Sequence, residues 1–319
     1  MEIARAARLV EHGAPLVVED VQLAGPGDDE VLVEMAYGGV NPVDRYNALG
    51  RVSPELALPR TLGSEGAGYV VTGGERRPVF LNRSALLRPG DGLWATRVVV
   101  RQQKLIDVPD GLDLAVAASV GVAGVTAWRC VAELGEASPG DRVLVLGASG
   151  GVGSVAVSVA KRLGAEVVGQ TGSHDKVDFV RDRGADRVVV GDAARLVEAL
   201  RDWKPTLVID PLGGAFTGAG IELLEQRGRL VIFGASADAS GAVPLQSLYR
   251  KGITVKGYAG LIEPAEAIEK GVRASFAALR DGRMEIVVDS LIPLEQVNDA
   301  FERLAERGVS GKLVLDLSR

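Results

Sequence analysis

Apolar positions along this chain follow two different patterns. Up to position 108 they come in short runs, at 16–19, 30–37, 78–81, 94–100 and 105–108, broken by turn sequences such as Pro26-Gly27-Asp28-Asp29 and Pro89-Gly90-Asp91-Gly92. Short strands punctuated by Gly and Pro predict a small, barrel-like, mostly β domain. Between 115 and 134 the pattern becomes helical, over 115–120 and 127–134. From 143 onward, compact apolar runs at 143–146, 166–168, 187–190, 206–210, 228–234 and 254–258 alternate with helical stretches at 154–162, 173–183, 193–200 and 219–226. Six strands joined by helical crossovers predict a doubly wound parallel sheet in the order 3-2-1-4-5-6. The tail is mixed: a helix over 264–279, a strand at 286–288, a helix over 294–305 with Val297, Ala300, Phe301 and Leu304 on one face, and a last strand at 311–315. This returning segment is expected to rejoin the first domain, giving 1–120 with 259–319 as one domain and 121–258 as the other.

The richest local signal lies at the start of the second pattern. Val143 to Leu146 runs straight into Gly147-Ala148-Ser149-Gly150-Gly151-Val152-Gly153 and then into a helix. Strand, glycine turn and helix in that order open a dinucleotide-binding fold. The first glycine makes the turn, the second lets the backbone approach a pyrophosphate, and the third lets the helix pack on the sheet. Free N–H groups at the helix start then face the anion. The spacing differs from the commoner G-x-G-x-x-G, so the flanking strand and helix carry the assignment.

The second strand bears on which dinucleotide is bound. A carboxylate about 20 residues after the first glycine would bind the ribose 2′-OH of NAD. Here Gln170 or Thr171 stands there, and no carboxylate appears until Asp175. Ser173 offers a hydroxyl at a helix start and Lys176 a positive charge, a pairing that suits a 2′-phosphate. NADPH is therefore the expected cofactor, with a simple N-cap at Ser173 and a solvated Lys176 as the plainer alternative. Gly213-Gly214 and Phe233-Gly234-Ala235-Ser236 end the fourth and fifth strands, where ligands of such sheets collect, and are expected to border the nicotinamide half. Thr126 is expected at a helix start, either capping it or touching a phosphate or ribose.

Composition removes several function classes. The chain has 319 residues, 47% of them apolar, and a formal charge of −6 with no basic stripe, which argues against nucleic acid. No apolar stretch is long enough to span a membrane and no leader pattern opens the chain, so a cytoplasmic location is expected. One cysteine, Cys130, and two histidines, His12 and His174, cannot assemble a four-ligand zinc site. Cys130 sits in an apolar helix and is expected to be buried. Chemistry without a metal follows as an expectation. Glu65, between glycines, reads equally as buried or solvated.

Four stretches together resemble a known family: Asn41-Pro42-Val43-Asp44-x-Tyr46, Gly63-Ser64-Glu65-Gly66-Ala67-Gly68, Val122-Ala123-Gly124-Val125-Thr126-Ala127-Trp128 and the glycine turn, with Gly311-Lys312 matching the last strand. The chain is similar, over nearly its whole length, to the zinc-independent medium-chain dehydrogenase/reductase superfamily, quinone oxidoreductase branch. The resemblance implies α/β architecture: a Rossmann doubly wound sheet plus a GroES-like, mostly β catalytic domain, commonly in a homodimer. It implies NADPH and a small-molecule quinone or enone as substrate. Asn41 and Tyr46 are similar to polar groups beside nicotinamide and substrate, and become the candidate catalytic donors. Thr126 is similar to a cofactor-contacting threonine, Ser173 and Lys176 match the 2′-phosphate positions, and Phe233 and Gly234 match the strand end beside the nicotinamide. Gly92-Leu93-Trp94 resembles a Gly-x-Trp of 2-enoyl thioester reductases, but Val52 stands where that branch carries its tyrosine. Reduction of an enoyl thioester or enone is the first alternative activity, and a cofactor-binding sensor with little catalysis the second.

Overall fold

The computed structural model describes residues 2–72, 75–87 and 90–318; Pro89 of the turn expected at 89–92 lies outside them. The chain divides into two compact units, Met1–Val122 with Val288–Arg319, and Ala123–Val287.

The first unit is built from strands. A seven-stranded sheet runs Val288–Pro293, Lys312–Asp316, Glu30–Val40, Glu65–Thr72, Glu75–Asn82 and Ile106–Asp107, with Arg97–Arg101 paired to Glu30–Val40 off this path. A three-stranded sheet orders Val17–Leu23, Glu2–Leu9 and Arg60–Thr61. The C-terminal strand pairs antiparallel with Glu30–Val40, matching Leu313 to Val40 and Asp316 to Tyr37. The strand at Lys312–Asp316 thus completes a sheet that opens at Glu30–Val40. Trp94 sits fully buried in the core of this unit with Leu9, Val33, Leu81 and Leu315. The Gly92-Leu93-Trp94 sequence is accounted for by this packing. A Cβ on Gly92 would lie 2.2 Å from the Leu62 carbonyl carbon, and one on Gly63 would lie 2.5 Å from the Trp94 ring.

The second unit is the parallel sheet: β1 (Arg142–Val145), β2 (Glu166–Thr171), β3 (Arg187–Val190), β4 (Leu207–Asp210), β5 (Arg229–Ile232) and β6 (Thr254–Gly257). Their spatial order is 3-2-1-4-5-6, all pairs parallel. The central strands are buried on both faces, which is why they read as unbroken apolar runs. Val143, Leu144, Val145 and every residue of β4 are buried, whereas edge strands β3 and β6 keep exposed positions. Helix α1 (Gly151–Arg162) follows β1 and α2 (Val177–Asp182) follows β2. The helix after β4 spans Gly214–Leu223, earlier than the 219–226 read from the pattern. It begins at once because Gly213 and Gly214 take positive φ, 71° and 55°, and Thr217 bonds back to Asp210.

Two further differences concern the connections. Residues Val120–Gly124, Val125–Trp128 and Arg129–Leu134 follow one another without a break, the outer two as π-helical turns. Thr126 therefore lies inside a helical run and caps nothing. Helix Ala265–Arg280 falls in the second unit, although the sequence reading ends that domain at 258. The reason is a close approach: a Cβ on its Gly271 would come 2.8 Å from Val125. Among the described residues, no helix is long and apolar enough to cross a membrane.

Candidate functional site

The glycine turn after β1 is a strapped structure. Gly147 has φ 59°, a conformation that favours glycine. Its N–H donates to Gln170 Oε1 at 3.0 Å, and Gln170 Nε2 donates to the Gly191 carbonyl at 2.7 Å. Ala148 N–H donates to the Gln170 carbonyl at 2.7 Å. One buried glutamine so ties the turn to the ends of both β2 and β3. Ser149 Oγ lies 3.2 Å from Thr171 Oγ1 with both residues buried, so one of these hydroxyls donates to the other and a second O–H remains for another acceptor. A Cβ on Gly153 would fall 2.2 Å from the Gly147 carbonyl oxygen, so the helix can seat on the turn only with glycine there. A Cβ on Gly150 would meet nothing nearer than 3.5 Å, which leaves that side of the turn open. Helix α1 has Gly150 at its N-cap, no side-chain cap and no acid in its first turn, so its N-terminus, at Gly151 and Val152, is left electropositive.

Beyond β2, Ser173 has extended backbone, φ −147°, before a single 3₁₀ turn, His174–Lys176, and makes no side-chain capping bond. Ser173 and Lys176 are half-buried, and Asp175 between them is exposed. The loop after β4 is shaped by Asp210, which is buried and accepts from Leu212 N–H at 2.8 Å, Gly213 N–H at 3.0 Å and the Thr217 hydroxyl at 2.6 Å. The end of β5 is tied to the same loop. Phe233 N–H donates to the Asp210 carbonyl at 3.0 Å, and Ser236 donates from both N–H and hydroxyl to the Pro211 carbonyl at 3.1 Å. Gly234 passes so near that a Cβ would lie 2.8 Å from the same oxygen. Cys130 is buried, and burial pushes its thiol up to about 12.

In the first unit, the residue pattern at 41–46 becomes the short helix Pro42–Ala48, entered through Asn41. Asn41 is buried and both ends of its amide are engaged. Oδ1 accepts from Lys312 Nζ at 2.6 Å and Nδ2 donates to Glu65 Oε1 at 2.8 Å. Lys312 Nζ also reaches Glu65 Oε1 at 3.2 Å and the Val40 carbonyl at 3.0 Å, while Glu65 Oε2 accepts from Val122 N–H at 2.8 Å. Beside this cluster Asp44 is buried, accepting from Asn41 N–H at 3.0 Å and the Ser64 hydroxyl at 2.5 Å. Burial, assisted by the charge of Glu65, raises Asp44 to about 6. Tyr46, on the same helix, is half-buried. The cluster of Asn41, Asp44, Glu65 and Lys312 escaped the sequence reading as a unit. Its one visible sign was a Glu placed among glycines.

Two family descriptions match the chain: Alcohol dehydrogenase GroES-like domain over 27–110 and Zinc-binding dehydrogenase over 151–276. The quinone oxidoreductase of Pseudomonas aeruginosa is 30% identical, across 98% of this chain and 99% of the relative. The chain belongs to the quinone oxidoreductase branch of the medium-chain dehydrogenase/reductase superfamily. Among solved structures, the quinone oxidoreductase from Thermus thermophilus, determined also with NADPH, has TM-score 0.83 and 28% identity, covering 98% of this chain and 100% of that one. An NAD-dependent alcohol dehydrogenase has TM-score 0.85 and 27% identity, covering 98% and 99%. The neighbours of this oxidoreductase thus differ in cofactor. One matched description names zinc, yet among the described residues of the oxidoreductase no group of three or more His, Cys, Asp and Glu could hold a metal ion.

The buried charges of the oxidoreductase carry two predictions. Lys312→Met leaves Glu65 a buried carboxylate without its counter-charge, which costs about 3–5 kcal/mol; a drop of that size in denaturant unfolding is the expected result. The folded protein holds the Asp44 proton up to about pH 6, whereas an unfolded chain releases it near 4. Stability from this group is therefore complete below about pH 4 and is lost as pH rises through about 6, by on the order of 2–3 kcal/mol. Unfolding curves across that window are expected to show the fall in the parent and a flatter profile in Asp44→Asn.

Proposed function

We propose that this chain is an NADPH-dependent reductase that transfers hydride, without a metal, to a quinone or a conjugated carbonyl. The observation that carries the cofactor choice is the end of β2. Gln170 is consumed in strapping the turn, no carboxylate occupies the ribose position, and the Ser173 hydroxyl makes no cap one turn away from Lys176. The residues fit the group: an open side at Gly150, an uncapped helix start and a hydroxyl–lysine pair are what a pyrophosphate and a 2′-phosphate require. When bound, the nicotinamide supplies the hydride.

In this reading the backbone of Gly147, Ala148, Ser149, Gly150, Gly151, Val152 and Gly153 holds the pyrophosphate. Ser173 and Lys176 hold the 2′-phosphate. Thr126 touches a phosphate or ribose of the cofactor, and Phe233, Gly234 and Ser236 flank the nicotinamide half. Tyr46 donates a hydrogen bond to the acceptor oxygen that gains negative charge. Asn41, whose amide is bonded to both Lys312 and Glu65, positions the Tyr46 helix, and the second N–H of its Nδ2 is the donor it has left for the acceptor. The solved relative determined with NADPH supports the cofactor, and the names of the relatives support the acceptor class.

Fluorescence titration of NADPH and NADH tests the phosphate assignment. Lys176→Ala and Ser173→Ala are each expected to weaken NADPH roughly 10-fold or more, the loss of one charge-assisted bond, and to leave NADH nearly unchanged. Equal losses for both cofactors would overturn it. Across a panel of quinones and enones, Tyr46→Phe is expected to lower kcat roughly 10–100-fold at unchanged NADPH affinity. A kcat equal to the parent's removes Tyr46 from the mechanism.

A further inference from the structure

Asp44, in the first turn of the Pro42–Ala48 helix, is 2% exposed. Its two oxygens have partners of different kinds. Oδ2 accepts from the Asn41 backbone N–H at 3.0 Å, and Oδ1 accepts from the Ser64 hydroxyl at 2.5 Å. A backbone amide does not hand a proton on. A hydroxyl does, because its oxygen can accept on one side while its O–H donates on the other. Ser64 is half-buried where Asp44 is closed off, so the serine is the route from this carboxyl to the outside of the first unit. The bonds of neighbouring Glu65 go instead to the Asn41 amide, the Lys312 ammonium and the Val122 N–H.

The surroundings of Asp44 favour its acid form. Burial raises it to about 6 and Glu65 pushes the same way, while the Ser64 bond, Lys312 and the Asn41 N–H oppose them. Arg60 and Arg83 line a small cavity that Asp44 also borders. The two protonation states differ in what Ser64 can do. Facing a carboxylate, the serine commits its single O–H to Oδ1. Facing the acid, Oγ accepts from the carboxyl O–H, and the serine O–H is released to donate elsewhere. We propose that Asp44 and Ser64 form the proton line of the reduction. As hydride reaches the acceptor, Ser64 gives its hydroxyl proton to the acceptor oxygen and takes the carboxyl proton of Asp44 in its place. This rests on the reductase reading above. The acceptor gains two electrons with the hydride and one proton from Ser64. The Ser64 O–H and the Asp44 O–H break, while an acceptor O–H and a new Ser64 O–H form. Asp44 is left as a carboxylate and is recharged from solvent through the serine. A quinone leaves as the hydroquinone, and an enone as an enol that tautomerises in water. Ser64 is then a catalytic residue, and Asp44 a positioning residue that holds the proton behind it.

The pH profile of kcat for an enone, at saturating NADPH, tests the line. In the parent, kcat is expected to hold level below about pH 6 and to fall as pH rises above it, by up to about 10-fold per unit, because the protonated carboxyl is the competent form. Asp44→Asn keeps a donor to Ser64 but has no proton to give. It is expected to lower kcat roughly 100-fold and to flatten the profile. Ser64→Ala leaves the carboxyl in place and cuts the route, and is expected to do the same. Ser64→Thr keeps a hydroxyl and is expected to recover most of the rate and the parent's profile. NADPH affinity is expected to stay unchanged in all three. A parent profile that stays level up to about pH 8, or a Ser64→Ala variant with the parent's kcat, overturns the proton line and leaves the reductase reading standing. Slower variants that keep the parent's pH profile also overturn it, since Asp44 and Ser64 then serve structure alone. A parent that binds NADPH and reduces neither quinones nor enones overturns the reductase reading, and the proton line with it.

Discussion

The first unit depends on a buried ion pair. Lys312 and Glu65 meet 247 positions apart in sequence, and Asn41 is bonded to both. Through them the last strand, the strand that opens at Glu65 and the entry to the Pro42–Ala48 helix are fixed at one point, and Val122 N–H adds the segment where the first unit's long stretch ends. Such a pair gains little net free energy over an apolar replacement, because both charges must be desolvated. Its hold is on geometry: removing one partner leaves the other stranded. The neighbouring glycines record the same constraint. A Cβ on Gly39 would lie 2.6 Å from Glu65 Oε1, and one on Gly121 would lie 3.0 Å from Glu65 Oε2. A carboxylate placed here excludes any side chain at those positions.

The second unit reaches rigidity by a different means. Its turn after β1 is held by backbone-to-amide bonds and by two glycines with opposite duties, one taking a positive φ and one making way for the helix. Charges take no part in this. The helix start is left uncapped and its first turn carries no acid, an arrangement that costs some helix stability and leaves an electropositive end. Asp210 plays the equivalent role after β4, with three donors converging on one buried carboxylate.

The order of the six parallel strands was legible because their burial on both faces leaves unbroken apolar runs, and because the glycine turn marks which strand comes first. The β-rich character of the first unit was legible from its short runs and turn residues. Helix starts were less so: the one at Gly214 depends on two positive-φ glycines and a hydroxyl seven residues from its acceptor. Glu65 could not be resolved from its neighbours, since what decides its burial is a lysine near the other end of the chain. Thr126 looked like a cap because glycines precede it, yet the helix runs through them with π-helical turns. Arg60 gave no signal of its burial, as nothing in Leu58-Pro59-Arg60-Thr61-Leu62 distinguishes a core arginine from a surface one.

Gln170 sets a limit on how this fold can change. It stands close to the position where a carboxylate would select a different ribose, but its side chain is structural, reaching the turn at Gly147 with one end and the close of β3 at Gly191 with the other. An aspartate is too short to span both, and any carboxylate loses the donor to Gly191. A lineage or a designer altering ligand preference here would have to work from residue 172 onward, in the loop, where a Cβ on Gly172 meets nothing within 4 Å. Mutational freedom and structural duty thus divide within two residues of chain.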